Sequence, residues 1–228
     1  MPYMNSTHEP TGSDHRHLEH LDNPVRGRLN AWMFRILDGY VHKLVGDRKQ
    51  RLFSELPDTI VELGSGCGAN FRYLRSGTRV IAVEPNVHMH GSLEQSARRH
   101  GVEVEVRTLS AERLPFDDAS VDAVVATLVL CTVPDATAAV REVLRVLKPG
   151  GRFVCIEHVA APAGSFVARL QRILFRPWRW FFEGCHLYRD TQSLLETAGF
   201  SSLTVERYDA DTLLFLPVRS QVAVTAYK

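Results

Sequence analysis

The sequence predicts an α/β domain built on a mostly parallel sheet. From residue 59 onward, short β-branched apolar runs alternate with segments of helical periodicity, and strands joined through helices are parallel neighbours. The first run, Thr59-Ile60-Val61-Glu62-Leu63, opens directly into a glycine-rich turn, Gly64-Ser65-Gly66-Cys67-Gly68. The next apolar run, from Arg79, closes on an acid, Glu84, 20 residues after Gly64. Strand, glycine turn and distal acid in that order mark a nucleotide-binding crossover.

Each element follows from local pattern. Residues 1–23 are polar, rich in His and Asp and without periodicity, so a loosely ordered tail is expected. Its His8, His15, His17 and His20 read as solvated side chains rather than metal ligands. Residues 24–57 form a helical cap: Pro24 opens it, and Met33, Ile36, Leu37, Tyr40, Val41 and Leu44 share one helical face. A second short helix is expected near Lys49 to Leu56. The main domain spans 58–228, with strands near 59–63, 79–84, 103–107, 121–127 and 151–157. Helices are expected at 69–74, 88–99 and 135–147. After Pro149-Gly150-Gly151 and the fifth strand comes an insertion at about 160–188. A helix near 190–198, ended by Gly199, and strands near 202–209 and 220–227 complete the chain. The insertion mixes Phe166, Phe175, Trp178, Trp180, Phe181 and Phe182 with Arg169, Arg172, Arg176 and Arg179. It fits a lid over an apolar substrate, a weak membrane-surface contact or a plain covering helix, and Pro177 should kink or end that helix.

Composition narrows the function classes. At 228 residues and 45% hydrophobic content the chain supports one core of ordinary size. A net charge of +1 gives no reason to expect nucleic acid as a partner. The four cysteines, at 67, 131, 155 and 185, form neither a CxxC pair nor a short disulfide framework, which suits a reducing cytoplasm. No signal-peptide core and no run of 18 apolar residues is present, so the expectation is a cytoplasmic protein. Oligomeric state is left open.

The glycine turn carries the first chemical inference. Glycine adopts positive φ and lets backbone amides approach a ligand, and a helix N-terminus beyond it would favour a carboxylate or phosphate. An acid at the end of the next strand accepts ribose hydroxyls, so an adenosine-type ligand is implied. Gly64-x-Gly66-x-x-Ala69 also satisfies the dinucleotide fingerprint, which keeps a dehydrogenase as the rival on this motif alone.

Further motifs separate the two. Glu62-x-Gly64-x-Gly66-x-Gly68, Val83-Glu84-Pro85-Asn86, Ala111-Glu112-Arg113-Leu114-Pro115-Phe116, Ser120-Val121-Asp122-Ala123-Val124-Val125 and Val146-Leu147-Lys148-Pro149-Gly150-Gly151 occur in this order. In this the chain resembles the class I S-adenosylmethionine-dependent methyltransferases, across roughly residues 58–160. The resemblance implies a Rossmann-like sheet of seven strands with the last antiparallel, an N-terminal segment capping the pocket, and S-adenosyl-L-methionine as cofactor. It further implies that Gly64, Ser65, Gly66 and Gly68 face the methionine portion, with Glu62 beside its ammonium. Glu84 and Pro85 would hold the ribose, Ala111 and Glu112 border the adenine, and Thr127 and Leu128 complete the set. The family often has Asp before the Ala-Glu pair, where this chain has Ser110.

Leu128-Val129-Leu130-Cys131, Glu157-His158-Val159 and Gly184-Cys185-His186 resemble a narrower group, the microsomal alkyl thiol methyltransferases and their soluble bacterial relatives. The animal members carry an N-terminal membrane anchor not found in this sequence, so residence on a membrane is not expected. The resemblance favours a small hydrophobic acceptor, a thiol first. An activated methyl donor needs no covalent enzyme intermediate, so the protein has to align and deprotonate the acceptor. A thiol with a pKa of about 8.5 is only a few per cent ionised at neutral pH, and Glu157 and His158 are the candidate bases. Residues alternate along a strand, so one of the two should face the pocket, and either could instead serve a structural hydrogen bond. Cys131, Cys185, His186, Trp178 and Phe182 are candidates for the acceptor pocket, the two cysteines as lining rather than nucleophiles, and no metal is expected. The alternatives are phospholipid or small-molecule N- or O-methylation, and a catalytically silent cofactor-binding subunit.

Overall fold

The computed structural model describes residues 24–228; the N-terminal stretch and its four histidines lie outside the described residues. Seven strands form one sheet in the order β3-β2-β1-β4-β5-β7-β6. β1 (Thr59–Leu63) lies parallel between β2 (Arg79–Val83) and β4 (Val121–Thr127). β3 (Glu103–Arg107) extends one edge parallel to β2, and β5 (Leu147–His158) pairs parallel with β4. β7 (Ser220–Tyr227) is antiparallel to both β5 and β6 (Ser202–Asp209). The chain therefore forms the expected seven-stranded sheet with its last strand reversed. Chain order switches direction between β1 and β4, so the carboxyl ends of these central strands diverge into a crevice.

Burial explains the strand sequences. β1, β2 and β4 are covered on both faces, and their residues read as nearly continuous apolar runs. One core layer packs Val61, Leu63, Val124 and Phe153 against the helix at Ala136–Val146, and the opposite layer packs Ile60, Val80, Phe71 and Leu93. The edge strand β3 carries Glu103, Glu105 and Arg107, charges that discourage pairing with another chain.

The helices are α1 (Pro24–Phe53), α2 (Val87–His100), α3 (Ala136–Val146), α4 (Phe166–Phe181) and α5 (Thr191–Glu196). Asn86, Asp135, Ser165 and Asp190 cap α2 to α5, each side chain accepting from a backbone N–H two or three residues on. Four expectations need correction. The two N-terminal helices are one helix of 30 residues, running through Gly39 and Gly46. Glycine lowers helix propensity without forbidding it, and packing of the inner face overrides the penalty. Ile36 is exposed, and the inner stripe instead runs Met33, Leu37, Val41, Val45, Lys49 at four-residue spacing. The helix expected at 69–74 is a single 3-10 turn, Phe71–Tyr73, because only a few residues separate Gly68 from the turn that enters β2. A helix macrodipole is thus absent at the glycine turn. α4 also continues through Pro177 to Phe181 rather than ending there; the carbonyl that loses its partner belongs to the exposed Ile173, where water can serve it.

α4 gives the insertion two faces. Trp178, with Phe182 just beyond the helix end, turns inward, and Phe166, Ile173 and Trp180 face outward. No helix among the described residues is long and apolar enough to cross a membrane.

Candidate active site

A cavity of about 660 Å³ opens at the carboxyl ends of the central strands. Its walls are the inner stripe of α1, the glycine turn after β1, Glu84 to Asn86 after β2, the loop at 109–112, the turn after β4, and Trp178 and Phe182. This volume suits a small-molecule ligand, and both ends of the cavity have distinct chemistry.

The first end is polar. Gly64 and Gly66 have φ of +57° and +55°, so both need the left-handed region that glycine enters freely. A Cβ on Gly64 would lie 2.5 Å from Val129 Cγ2, whereas one on Gly66 would meet nothing closer than Met89 Sδ at 3.8 Å and would project into the cavity. The glycines thus serve different ends: Gly64 lets the β4 turn close in, and Gly66 leaves room for a ligand. Gly68 packs against Ser96 and Phe71 instead of lining the cavity.

Glu84 is buried at the cavity wall. Its Oε2 accepts from Gly66 N at 2.7 Å and its Oε1 from Asn86 N at 2.8 Å, leaving each oxygen a second lone pair for a ligand hydroxyl. Burial pushes this carboxyl up to about 7; the two backbone donors work against the shift, and Glu183 and Glu62 add to it. Pro85 follows on the wall.

Glu62 lies one layer behind. Its Oε1 accepts from Asn70 Nδ2 at 2.6 Å, and its Oε2 is buried without a protein partner. Asn70 in turn donates to Thr127 Oγ1 at 2.8 Å and accepts from Lys49 Nζ at 2.7 Å. Burial lowers the Lys49 pKa to about 8, with Glu62 opposing the shift. An orphaned carboxylate oxygen, a lysine and an amide at one end, and an acid with free lone pairs beside it, fit the amino-acid and ribose parts of the implied cofactor. Ala111 and Glu112 border the same space. Ser110 hydrogen-bonds the Glu112 carboxylate, and Glu112 Oε1 accepts from Asp135 N at 3.2 Å, which ties this loop to the start of α3.

Lys49, Asn70 and Glu183 escape a sequence reading. Of these Lys49 alone carried a signal, since it continues the four-residue stripe of α1.

At the far end the turn after β4 is held from below. Glu157, fully buried on β5, accepts from Val129 N and Leu130 N at 2.8 Å each and from Cys131 N at 3.2 Å. Its oxygens face this turn and not the cavity. The turn is also pinned at its carbonyls: Arg189 donates to Leu130 O and Val133 O, and His186 N donates to Cys131 O at 2.7 Å. Leu128, which lines the cavity, sits at φ +59°, a strained conformation for leucine that these bonds over-determine. His186 contributes its backbone only; its ring packs between Phe175 and Tyr188, away from the cavity.

His158, the next residue on β5, faces the other way. His158 Nε2 is 3.0 Å from Cys185 Sγ, which also receives Trp178 Nε1–H at 3.3 Å and lies 3.8 Å from Cys131 Sγ. All four residues line the cavity. Bonding from the Cys131 thiol, opposed by burial and reinforced by His158, holds Cys185 well below the usual thiol range. Burial disfavours the charged imidazole, but the Cys185 sulfur and the Glu157 carboxylate outweigh it and raise His158. Burial pushes Cys131 up. The arrangement is an imidazole–thiol pair backed by a second sulfur at the apolar end of a cofactor-sized cavity.

Comparison with known proteins fits this geometry. A family model described as a methyltransferase domain matches residues 61–155. Thiol S-methyltransferase TMT1B of Rattus norvegicus is 35% identical over 222 residues, covering 90% of this chain and 88% of that protein. Thiol S-methyltransferase TMT1A of Homo sapiens is 36% identical over 177 residues, covering 73% and 72%. Among solved structures, a possible histamine N-methyltransferase from Thermotoga maritima superposes with a TM-score of 0.57 at 23% identity, over 86% of this chain and 99% of that one, a likeness of fold alone.

Proposed function

The chain belongs to the class I S-adenosylmethionine-dependent methyltransferases, and from that membership we propose that its acceptor is a small alkyl thiol, converted to the methyl thioether. The observation that carries the proposal is the Cys131–His158–Cys185 cluster at the apolar end of the cavity. The thiol S-methyltransferase names of relatives aligned over most of their length support the same reading.

When bound, the cofactor supplies a sulfonium-activated methyl group. The protein's residues divide the remaining work. Glu84 and the Gly66 amide fix the ribose side, and Lys49, Asn70 and Glu62 fix the charged amino-acid side. Glu157 holds the turn that carries Leu128 to Cys131, a positioning role at one remove from the reacting atoms. Desolvation at the apolar end raises the pKa of an entering thiol, and the His158-centred cluster offsets that shift by favouring the thiolate. Trp178 and Phe182 cover the acceptor's hydrocarbon part and exclude water.

The test is a panel of alkyl thiols, amines, phenols and phospholipid vesicles incubated with S-adenosylmethionine, with S-adenosylhomocysteine formation as readout. Thiols should turn over, and the other classes should run at background. Robust methylation of an amine, phenol or phospholipid with no thiol turnover would remove the proposal.

A pH prediction follows from Glu84. Only the ionised carboxylate accepts both ribose hydroxyls, so the cofactor binds the deprotonated form. With a pKa of about 7, the ionised fraction rises about tenfold from pH 6 to pH 8, and affinity should rise with it. Calorimetry with S-adenosylhomocysteine across this window should show that rise in the wild type and a flattened response in Glu84→Gln. A flat wild-type response would show that Glu84 does not titrate on binding.

A further inference from the structure

The same cluster supports a reading beyond a bare imidazole–thiol pair. We propose that Cys131, His158 and Cys185 form a three-ligand site for a soft divalent cation of the zinc type, whose fourth position faces the cavity and takes the acceptor sulfur. The fourth ligand rests on the proposed thiol acceptor; the three protein ligands do not.

Donor identity and spacing carry the inference. Two sulfurs and one imidazole nitrogen, all buried, lie within 4.8 Å of one another. Sulfurs bound to one tetrahedral zinc at about 2.3 Å are about 3.8 Å apart, and the Cys131 and Cys185 sulfurs are separated by 3.8 Å. A nitrogen and a sulfur on the same ion stand about 3.6 Å apart, against 3.0 Å between His158 Nε2 and Cys185 Sγ. A ring retreat of about half an ångström would bring that edge to the tetrahedral value, and the third edge, from His158 Nε2 to Cys131 Sγ, lies within 4.8 Å. Thiolate and imidazole donors together favour zinc over hard cations, and three protein ligands with one open position is the arrangement of a reactive rather than a structural zinc.

The surroundings agree. The Trp178 indole N–H donates to Cys185 Sγ, the kind of outer contact that orients a ligand sulfur. Cys131 is fixed through its own amide by Glu157 and through its carbonyl by His186 N. No other cluster of this kind occurs among the described residues. Cys155 lies in the core, and Cys67 sits in the glycine turn after β1.

The chemistry balances without further reagents. An entering thiol takes the fourth position and loses its proton to solvent through the cavity. The bound thiolate sulfur then forms the new S–C bond as the S–CH3 bond of the sulfonium donor breaks, the electron pair staying on the departing sulfur. The product thioether is neutral, a weak ligand, and leaves.

The experiment uses the full chain under a phosphine reductant, with Zn²⁺ stoichiometry by elemental analysis and Co²⁺ as spectroscopic probe. Wild type and Cys67→Ser should bind one equivalent and show thiolate-to-cobalt charge-transfer absorption, which tail histidines cannot produce. Cys131→Ser and Cys185→Ser should each lose that absorption or bind at least tenfold more weakly, with folding checked by circular dichroism and S-adenosylhomocysteine binding. Absence of the absorption in wild type, or its persistence at wild-type affinity in Cys185→Ser, overturns the site. Full-rate thiol turnover by chelator-stripped, metal-free protein also overturns it while leaving the thiol acceptor standing. A cobalt spectrum of the expected kind with no thiol turnover leaves the site standing and removes the acceptor.

Discussion

Glu84→Ala should weaken S-adenosylmethionine and S-adenosylhomocysteine binding by roughly 5- to 150-fold, the equivalent of about 1–3 kcal/mol for charge-assisted hydrogen bonds to the ribose. The structure places the effect toward the upper end. The same carboxylate accepts from Gly66 N and Asn86 N, so its removal releases the glycine turn and the start of α2 together with the ligand hydroxyls. Gly66 is positioned with its missing side chain toward the cavity, and a loosened turn spoils the fit on that side as well. Calorimetry on folded Glu84→Ala protein checks this, with near-ultraviolet circular dichroism as the folding control. An unchanged dissociation constant would remove Glu84 from the cofactor site.

His158→Ala should lower turnover of a simple alkyl thiol at neutral pH by about 10²-fold or more, with cofactor affinity close to wild type. His158 stands at the sulfur-rich end of the cavity, beyond the turn after β4, while the residues proposed to meet the ribose and amino-acid parts lie just after β1 and β2 and on α1. A loss confined to turnover separates this residue from the cofactor set. Glu157→Gln should behave differently: the amide can accept but presents N–H where a carboxylate oxygen now meets backbone donors, so the turn itself is disturbed and stability falls with activity. Thermal unfolding of both variants beside their rates distinguishes the two roles.

Much of the fold was legible because burial writes itself into the strands. β1 and β4 are covered on both faces, and their β-branched runs gave bounds close to those of the structure. Edges of elements were harder. β5 begins at Leu147, inside the segment that Pro149 and Gly150 mark as a turn, and α1 passes through Gly39 and Gly46, which read locally as weak points. In both, long-range packing decides what local propensity leaves open.

The site was legible in its residue types more than in its roles. Glu84, Gly64 and Gly66 stand where a strand–turn–acid pattern puts them, since that pattern is itself a local geometry. Glu157 could not be separated from His158 by sequence, because its partners are the amides of a turn 26 to 28 residues earlier. The Gly184-Cys185-His186 resemblance puts His186 in the pocket, but the aromatic contacts of Phe175 and Tyr188 draw its ring away. Cys131, His158 and Cys185 each stood out singly, and only the tertiary fold brings them together as one cluster.

The central claim is that this cavity makes and aligns a thiolate. It is tested most directly by comparing kcat/KM of wild type and His158→Ala for two acceptors: an alkyl thiol, and an aromatic thiol acidic enough to be ionised already at neutral pH. In metal-free protein the cluster should matter only where a proton has to be removed. The account predicts a loss of about 10²-fold or more for the alkyl thiol and a loss several-fold or less for the ionised one. Equal losses for both acceptors would contradict it, and would make His158 a structural residue of the pocket.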